Sequence, residues 1–149
     1  MFPGVVVVIT PIVPPQAPLQ ELLHGPIAYP VPVRRAQDDL VYGMSTVGEG
    51  GRILDRQVFR KLTWKPGTRL NIRCSDHGVL LVAPSKEGAA TVTSDELFRV
   101  HYKLRRCVNL FIGDRVLLIG RISQRRLVVH PPAAMDELFA ESVHLLDRW

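Results

Sequence analysis

The 149 residues contain only two cysteines, Cys74 and Cys107. A secreted scaffold stapled by disulfides needs more, so a reducing compartment is the simpler setting for this chain. Long hydrophobic runs are missing too: nothing approaches the roughly 18 apolar residues that read as a membrane span. Gly4 to Ile9 is apolar, but it has no basic residues before it and no convincing cleavage site, so it does not read as a signal peptide. The five histidines, His24, His77, His101, His130 and His144, are scattered. None stands at metal-ligand spacing from a cysteine or carboxylate. No Gly-Lys-Ser/Thr phosphate loop occurs, and Gly48-Glu49-Gly50-Gly51 is too short to replace one. Nor does the sequence set a serine and a histidine beside an activating third group. The expectation is a soluble, cytoplasmic non-enzyme with no catalytic residue, metal or cofactor.

Proline is plentiful but segregated, with eight of the twelve in residues 1–32. Each removes a backbone donor and fixes φ, which excludes a central strand or a helix. Residues 1–41 therefore read as a flexible proline-rich arm. Positive charge is segregated as well. Residues 52–73 hold seven basic groups against Asp55 alone, and residues 99–126 hold eight against Asp114 alone. Cations gathered in two blocks form the footprint of a polyanion.

Those two blocks are copies of one unit. Phe59-Arg60-Lys61-Leu62-Thr63-Trp64-Lys65-Pro66-Gly67-Thr68-Arg69-Leu70 parallels Leu104-Arg105-Arg106-Cys107-Val108-Asn109-Leu110-Phe111-Ile112-Gly113-Asp114-Arg115-Val116. Gly67 falls on Gly113, Arg69 on Arg115, and Arg60-Lys61 on Arg105-Arg106. About forty residues cannot bury a core alone, so the copies must share one. In copy one, Met44 to Val47 reads as a short strand and Asp55 as the cap of a helix bearing Val58, Phe59 and Leu62. Leu70, Ile72 and Cys74 then alternate with Arg69, Asn71 and Arg73 as a half-buried strand, returning through Ser75–Gly78 to Val79–Val82. Copy two repeats the order: Thr91–Thr93, a helix with Leu104, Cys107 and Val108 inward, then Val116–Ile119 and Leu127–Val129. Residues 133–149 read as one amphipathic helix with Met135, Leu138, Phe139, Val143 and Leu146 on a single face.

The unit resembles the AbrB/MazE/SpoVT swapped-hairpin DNA-binding family. The resemblance rests on Gly51-Arg52-Ile53, Phe59-Arg60-Lys61-Leu62 and Lys65-Pro66-Gly67-Thr68 in copy one, with Leu104-Arg105-Arg106 and Gly113-Asp114-Arg115-Val116 in copy two. It implies an α+β fold: a swapped-hairpin β-barrel from two tandem strand–helix–strand–strand repeats, residues 42–84 and 90–132, with a C-terminal helix. Two departures stand out. Arg56 and His101 occupy the place where the family opens its helix with proline, and copy two reads Glu96-Leu97 in place of Gly51-Arg52.

By the same resemblance, Arg52, Arg60, Lys61, Arg105 and Arg106 face double-stranded DNA, and Arg56 and Arg99 join them from position alone. Arg69 and Arg115 follow the turn glycines and read as structural, or as solvated on a strand. Trp64, in the slot of Leu110, should pack into the core. The expected function is sequence-specific transcription regulation by a nucleoid-associated bacterial protein, as a homodimer or higher homo-oligomer without membrane contact. The rivals are the antitoxin of a toxin–antitoxin pair, whose partner is a toxin, and an assembly module that does not bind DNA. Limited proteolysis should trim the arm and leave a stable core that begins near residue 40; a protease-resistant N-terminus would count against a flexible arm.

Overall fold

The computed structural model describes residues 38–149. Most of the expected arm, residues 1–37, lies outside the described residues. The described chain is α+β and built twice over. Copy one runs β1 (Leu40–Thr46), β2 (Arg52–Leu54), α1 (Arg56–Lys61), β3 (Arg69–Cys74) and β4 (Leu80–Pro84). Copy two runs β5 (Ala90–Thr91), β6 (Leu97–Arg99), α2 (Tyr102–Cys107), β7 (Arg115–Arg121) and β8 (Arg126–His130). Two further helices close the chain, α3 (Pro132–Leu138) and α4 (Ala140–Asp147). None of the described helices is long and apolar enough to cross a membrane.

Local chemistry sets each element. The Asp55 carboxylate accepts from Val58 N at 3.1 Å, and His101 Nδ1 accepts from Lys103 N at 3.2 Å, so both short helices are capped by a side chain. His101 is thus a cap, one residue before the helix it was expected to open. Both helices stop at a left-handed residue, Thr63 (φ 56°) and Asn109 (φ 52°). Asparagine tolerates that conformation, whereas a β-branched threonine is strained in it. Arg125 holds the strained end in place. Its guanidinium donates to the carbonyls of Leu62 (3.1 Å) and Thr63 (3.0 Å), while its own carbonyl accepts from Trp64 Nε1 at 3.0 Å.

The strands pair across the copies. β1 lies antiparallel on β7, and β5 on β3; β4 pairs with β8 and β2 with β6. The correspondence reaches single hydrogen bonds at the turn glycines. Gly113 N donates to Val47 O and Val47 N to Asp114 O, both at 2.8 Å. In the other half, Gly67 N donates to Val92 O at 2.8 Å and Val92 N to Thr68 O at 2.9 Å. No closed barrel is formed by the described residues, contrary to expectation. Six strands lie in the open order β1-β7-β8-β4-β3-β5, and β2 with β6 makes a separate two-stranded ribbon.

Between the sheet and the ribbon lies the core. Leu70, Leu80, Val116, Leu118 and Val129 face inward from the sheet, and Ile53 and Phe98 from the ribbon. At its centre Phe59, Trp64 and Phe98 form a cluster, with ring centroids 5.4, 5.5 and 6.0 Å apart. Offset and edge-on contacts at that range add to the area term.

Three further expectations need correction. β1 begins at Leu40, inside the span assigned to the arm, because Asp39 anchors it: its carboxylate accepts from Ser123 N and Oγ at 2.7 Å and from Arg121 at 3.2 Å. These bonds, led by the Ser123 hydroxyl, hold the Asp39 carboxyl below its ordinary value. The C-terminal helix is two helices, broken at Phe139 (φ −105°, ψ 17°). Cys107, expected in the core, is exposed at the end of α2.

Trp64 is buried as expected, at 2% exposure, and Leu110 fills the matching position at 3%. Trp64→Ala should cost about 3–5 kcal/mol in urea unfolding. A loss below about 1 kcal/mol would mean that the indole contributes little to the core.

Candidate nucleic-acid interface

The ribbon governs where the arginines go. Its register sets Arg52 opposite Arg99, Ile53 opposite Phe98 and Leu54 opposite Leu97. Ile53 and Phe98 are fully buried, so the alternation of a strand turns Arg52 and Arg99 outward together. Like charges directly opposite on an antiparallel pair repel. Among the described residues no carboxylate bridges either one. The glycine turn at Glu49–Gly51 gives them room. A Cβ at Gly48 would come within 3.3 Å of Arg52 Nε, and one at Gly50 within 3.4 Å of Arg99 Nε. Gly51 (φ 83°) could carry no side chain at all, since its Cβ would strike the Val100 carbonyl.

The helices flank this ribbon. Arg60 and Lys61 end α1, and Arg105 and Arg106 end α2, where cations complement the helix dipole. Arg105 Nε donates to the Val100 carbonyl at 3.0 Å, which lays its side chain over the Gly51 turn. Tyr102 stands exposed beside both arginines of α2, with the guanidinium carbons of Arg105 and Arg106 5.6 and 5.7 Å from its ring centroid. Such stacking orients the guanidinium groups without consuming their charge.

Copy one's helix is different, because Glu96 neutralises part of it. Glu96 stands left-handed at φ 63°, as Gly51 does at the matching turn of copy one. Its two oxygens accept from Arg60 Nε and Nη2, each at 2.9 Å, and a third contact reaches Arg56 Nε at 3.7 Å. The Arg60 hydrogen bonds hold the Glu96 carboxyl below its ordinary value, and the Arg60 guanidinium is correspondingly raised. The Glu96 carboxylate is therefore turned onto two of the candidate arginines.

The seven candidates thus divide. Arg52, Arg99 and Arg105 gather around the glycine turn, with Arg106 beside them over Tyr102. Arg56 and Arg60 are tied to Glu96. Lys61 is exposed and has no ion pair among the described residues. Arg69 and Arg115 lie exposed on their strands and are also hydrogen-bonded, donating to Gly88 O at 3.0 Å and Thr46 Oγ1 at 3.2 Å.

The copies also match one residue differently from the sequence alignment. From the helix caps onward, the helix bounds, the left-handed residues that end the helices and the turn glycines recur at one spacing, which sets Arg60 on Arg106, Lys61 on Cys107 and Phe59 on Arg105. This explains both surprises of α2. Arg105 is half-buried because it takes a core position, and Cys107 is exposed because it takes a surface one. Sequence reasoning missed the ribbon, whose two strands of three residues are too short to show a period. It also missed Tyr102, for which only its place three and four residues before the arginines gave a signal.

No protein-family model, no curated protein and no solved structure matches this chain.

The lowered Glu96 carboxyl is measurable directly. Followed by NMR, it should titrate below an ordinary glutamate and return toward the normal range in Arg60→Gln. Because the folded value is the lower one, the bridge is intact above the ordinary carboxylate range and is lost as pH falls through the folded midpoint. A normal midpoint in the unaltered chain would show that the bridge is not kept in solution.

Proposed function

We propose that the ribbon and its flanking helices bind double-stranded DNA, and that the chain is a sequence-specific transcription regulator of AbrB-like type. In this reading the two copies form a swapped-hairpin unit within one chain. Exchange of β1 and β5 between the copies' hairpins supports it, as does the ribbon that joins them. The observation that carries the functional reading is the pair Arg52 and Arg99, opposed on one outward ribbon face without a carboxylate between them. Such a pair costs stability in the free protein and gains it beside phosphate.

The shape fits as well. A two-stranded ribbon or a helix can enter the major groove, and Arg donates bidentately to the O6 and N7 of guanine. Arg106 and Lys61, on helix ends, suit phosphate contacts that fix register and supply affinity. The Glu96 bridge leaves Arg56 and Arg60 less free to do the same. The two halves of the surface are accordingly unequal.

Selection from a random duplex library, followed by anisotropy titration at several salt concentrations, tests this. Arg52→Ala should weaken the selected site by about 1–3 kcal/mol and affect random duplex less. Replacing Arg105 and Arg106 should lower affinity for every sequence and flatten the salt dependence by up to about two phosphate equivalents. If the Arg105/Arg106 change abolishes discrimination and Arg52→Ala does nothing, copy two is the reader. No binding, or binding indifferent to salt, would overturn the proposal in favour of an assembly module.

A further inference from the structure

The sheet has a second face, turned away from the ribbon, and it is not an ordinary polar surface. Register places Tyr42, Ile119, Val128 and Leu81 side by side on four adjacent strands, and Arg73 continues the row on a fifth. Two residues further along the strands, the next row holds Leu40, Arg121 and Arg126. Apart from Tyr42, the two rows line a cavity of about 400 Å³. Among the described strands, the residues that alternate onto this face include five arginines and no carboxylate. Only Arg121 has an acidic partner, the loop residue Asp39 at 3.2 Å.

The C-terminal helices have the opposite composition. Residues 132–149 carry Asp136, Glu137, Glu141 and Asp147 against the single Arg148. Phe139, Val143, Leu145 and Leu146 are 42–73% exposed, and Trp149 is fully so. α3 packs on β7 and β8 and stands over one end of the face, where its Glu137 and Leu138 share a pocket with Leu81, Val128 and His130 and leave the rest of the row open. α4 continues from it, packs against α3, and has no buried residue. At 3.6 residues per turn its apolar side chains form one stripe, with Glu141 along one border and Asp147 along the other. An apolar stripe edged by carboxylates thus belongs to the same chain as an apolar row edged by arginines.

We propose that α4 of one molecule seats on the arginine-edged row of a second copy, and that the exchange is reciprocal. Both surfaces occur once per chain, so two chains satisfy each other and close with two-fold symmetry. The stripe covers Tyr42, Ile119, Val128 and Leu81, while Glu141 and Asp147 approach Arg73 and Arg126. Apolar side chains rimmed by charge of opposite sign on the two surfaces make the pair complementary. The pairing does not depend on DNA binding, because ribbon and outer sheet face lie on opposite sides of the core.

Sedimentation equilibrium of the full chain without DNA tests it. The unaltered chain should sediment as a dimer. Leu145→Asp with Leu146→Asp, and separately Arg73→Glu with Arg126→Glu, should each raise the dimer dissociation constant at least about tenfold. All four side chains are exposed, so far-UV circular dichroism should stay the same. Joining Arg73→Glu and Arg126→Glu with Glu141→Arg and Asp147→Arg should restore the dimer. A monomer at every concentration would overturn the proposal, including the case in which α4 folds onto its own sheet. So would an arginine variant that remains dimeric, since the helices would then pair with each other, and so would a charge-exchanged chain that stays monomeric.

Discussion

The first strand of each copy is hydrogen-bonded into the other copy's hairpin, β1 along β7 and β5 along β3, and the remaining architecture depends on that exchange. It draws β4 against β8 and β2 against β6, so that sheet and ribbon enclose a common interior. The central aromatic cluster is itself shared: Phe59 and Trp64 come from copy one and Phe98 from copy two. Units of this size bury too little surface to fold alone. Here each supplies half of a core that neither possesses.

The exchange also fixes what the surface can present. A ribbon strand of three residues has one inward and two outward positions. The inward ones, Ile53 and Phe98, are spent on the core. The cross-strand partners Arg52 and Arg99 are therefore held outward by the same packing that stabilises the fold. Side chains placed by a rigid core lose little entropy on meeting a ligand. α1 and α2 are only six residues each, too short to persist as isolated helices, and depend on their caps and on the core for their position.

Much of this was legible in the sequence, for identifiable reasons. β3 showed because Leu70, Ile72 and Cys74 alternate with polar residues, and α1 because Asp55 precedes Val58, Phe59 and Leu62 at helical spacing. The repeat itself was visible through its turn glycines. The misses have physical causes too. A basic pair is a conspicuous marker, and matching Arg60-Lys61 to Arg105-Arg106 shifted the helices by one residue; the caps and turns give the correct register. The start of β1 depends on Asp39 meeting Ser123, a contact more than eighty residues apart in sequence that no local pattern encodes. Barrel closure, likewise, is a property of how strands end, and periodicity carries no information on it. At the candidate interface, single arginines could be named, but their partners could not: the bridge from Glu96 to Arg60 spans the two copies.

The five residues from Ser85 to Ala89 that join the copies are themselves part of the packing. Gly88 is buried against the Leu70 backbone, where no Cβ fits, and its carbonyl accepts from Arg69. A tether so short makes the meeting of the two halves intramolecular, at an effective concentration that dilution cannot lower. It also removes a requirement that binds a dimer of separate chains, where any change in one half must appear in the other. Joined in one chain, the halves are free to differ, and at Gly51 and Glu96 they do. One half keeps a glycine turn beneath an arginine, and the other sends a carboxylate across to restrain its neighbour's helix. The tether thus turns a two-fold object into one with a direction.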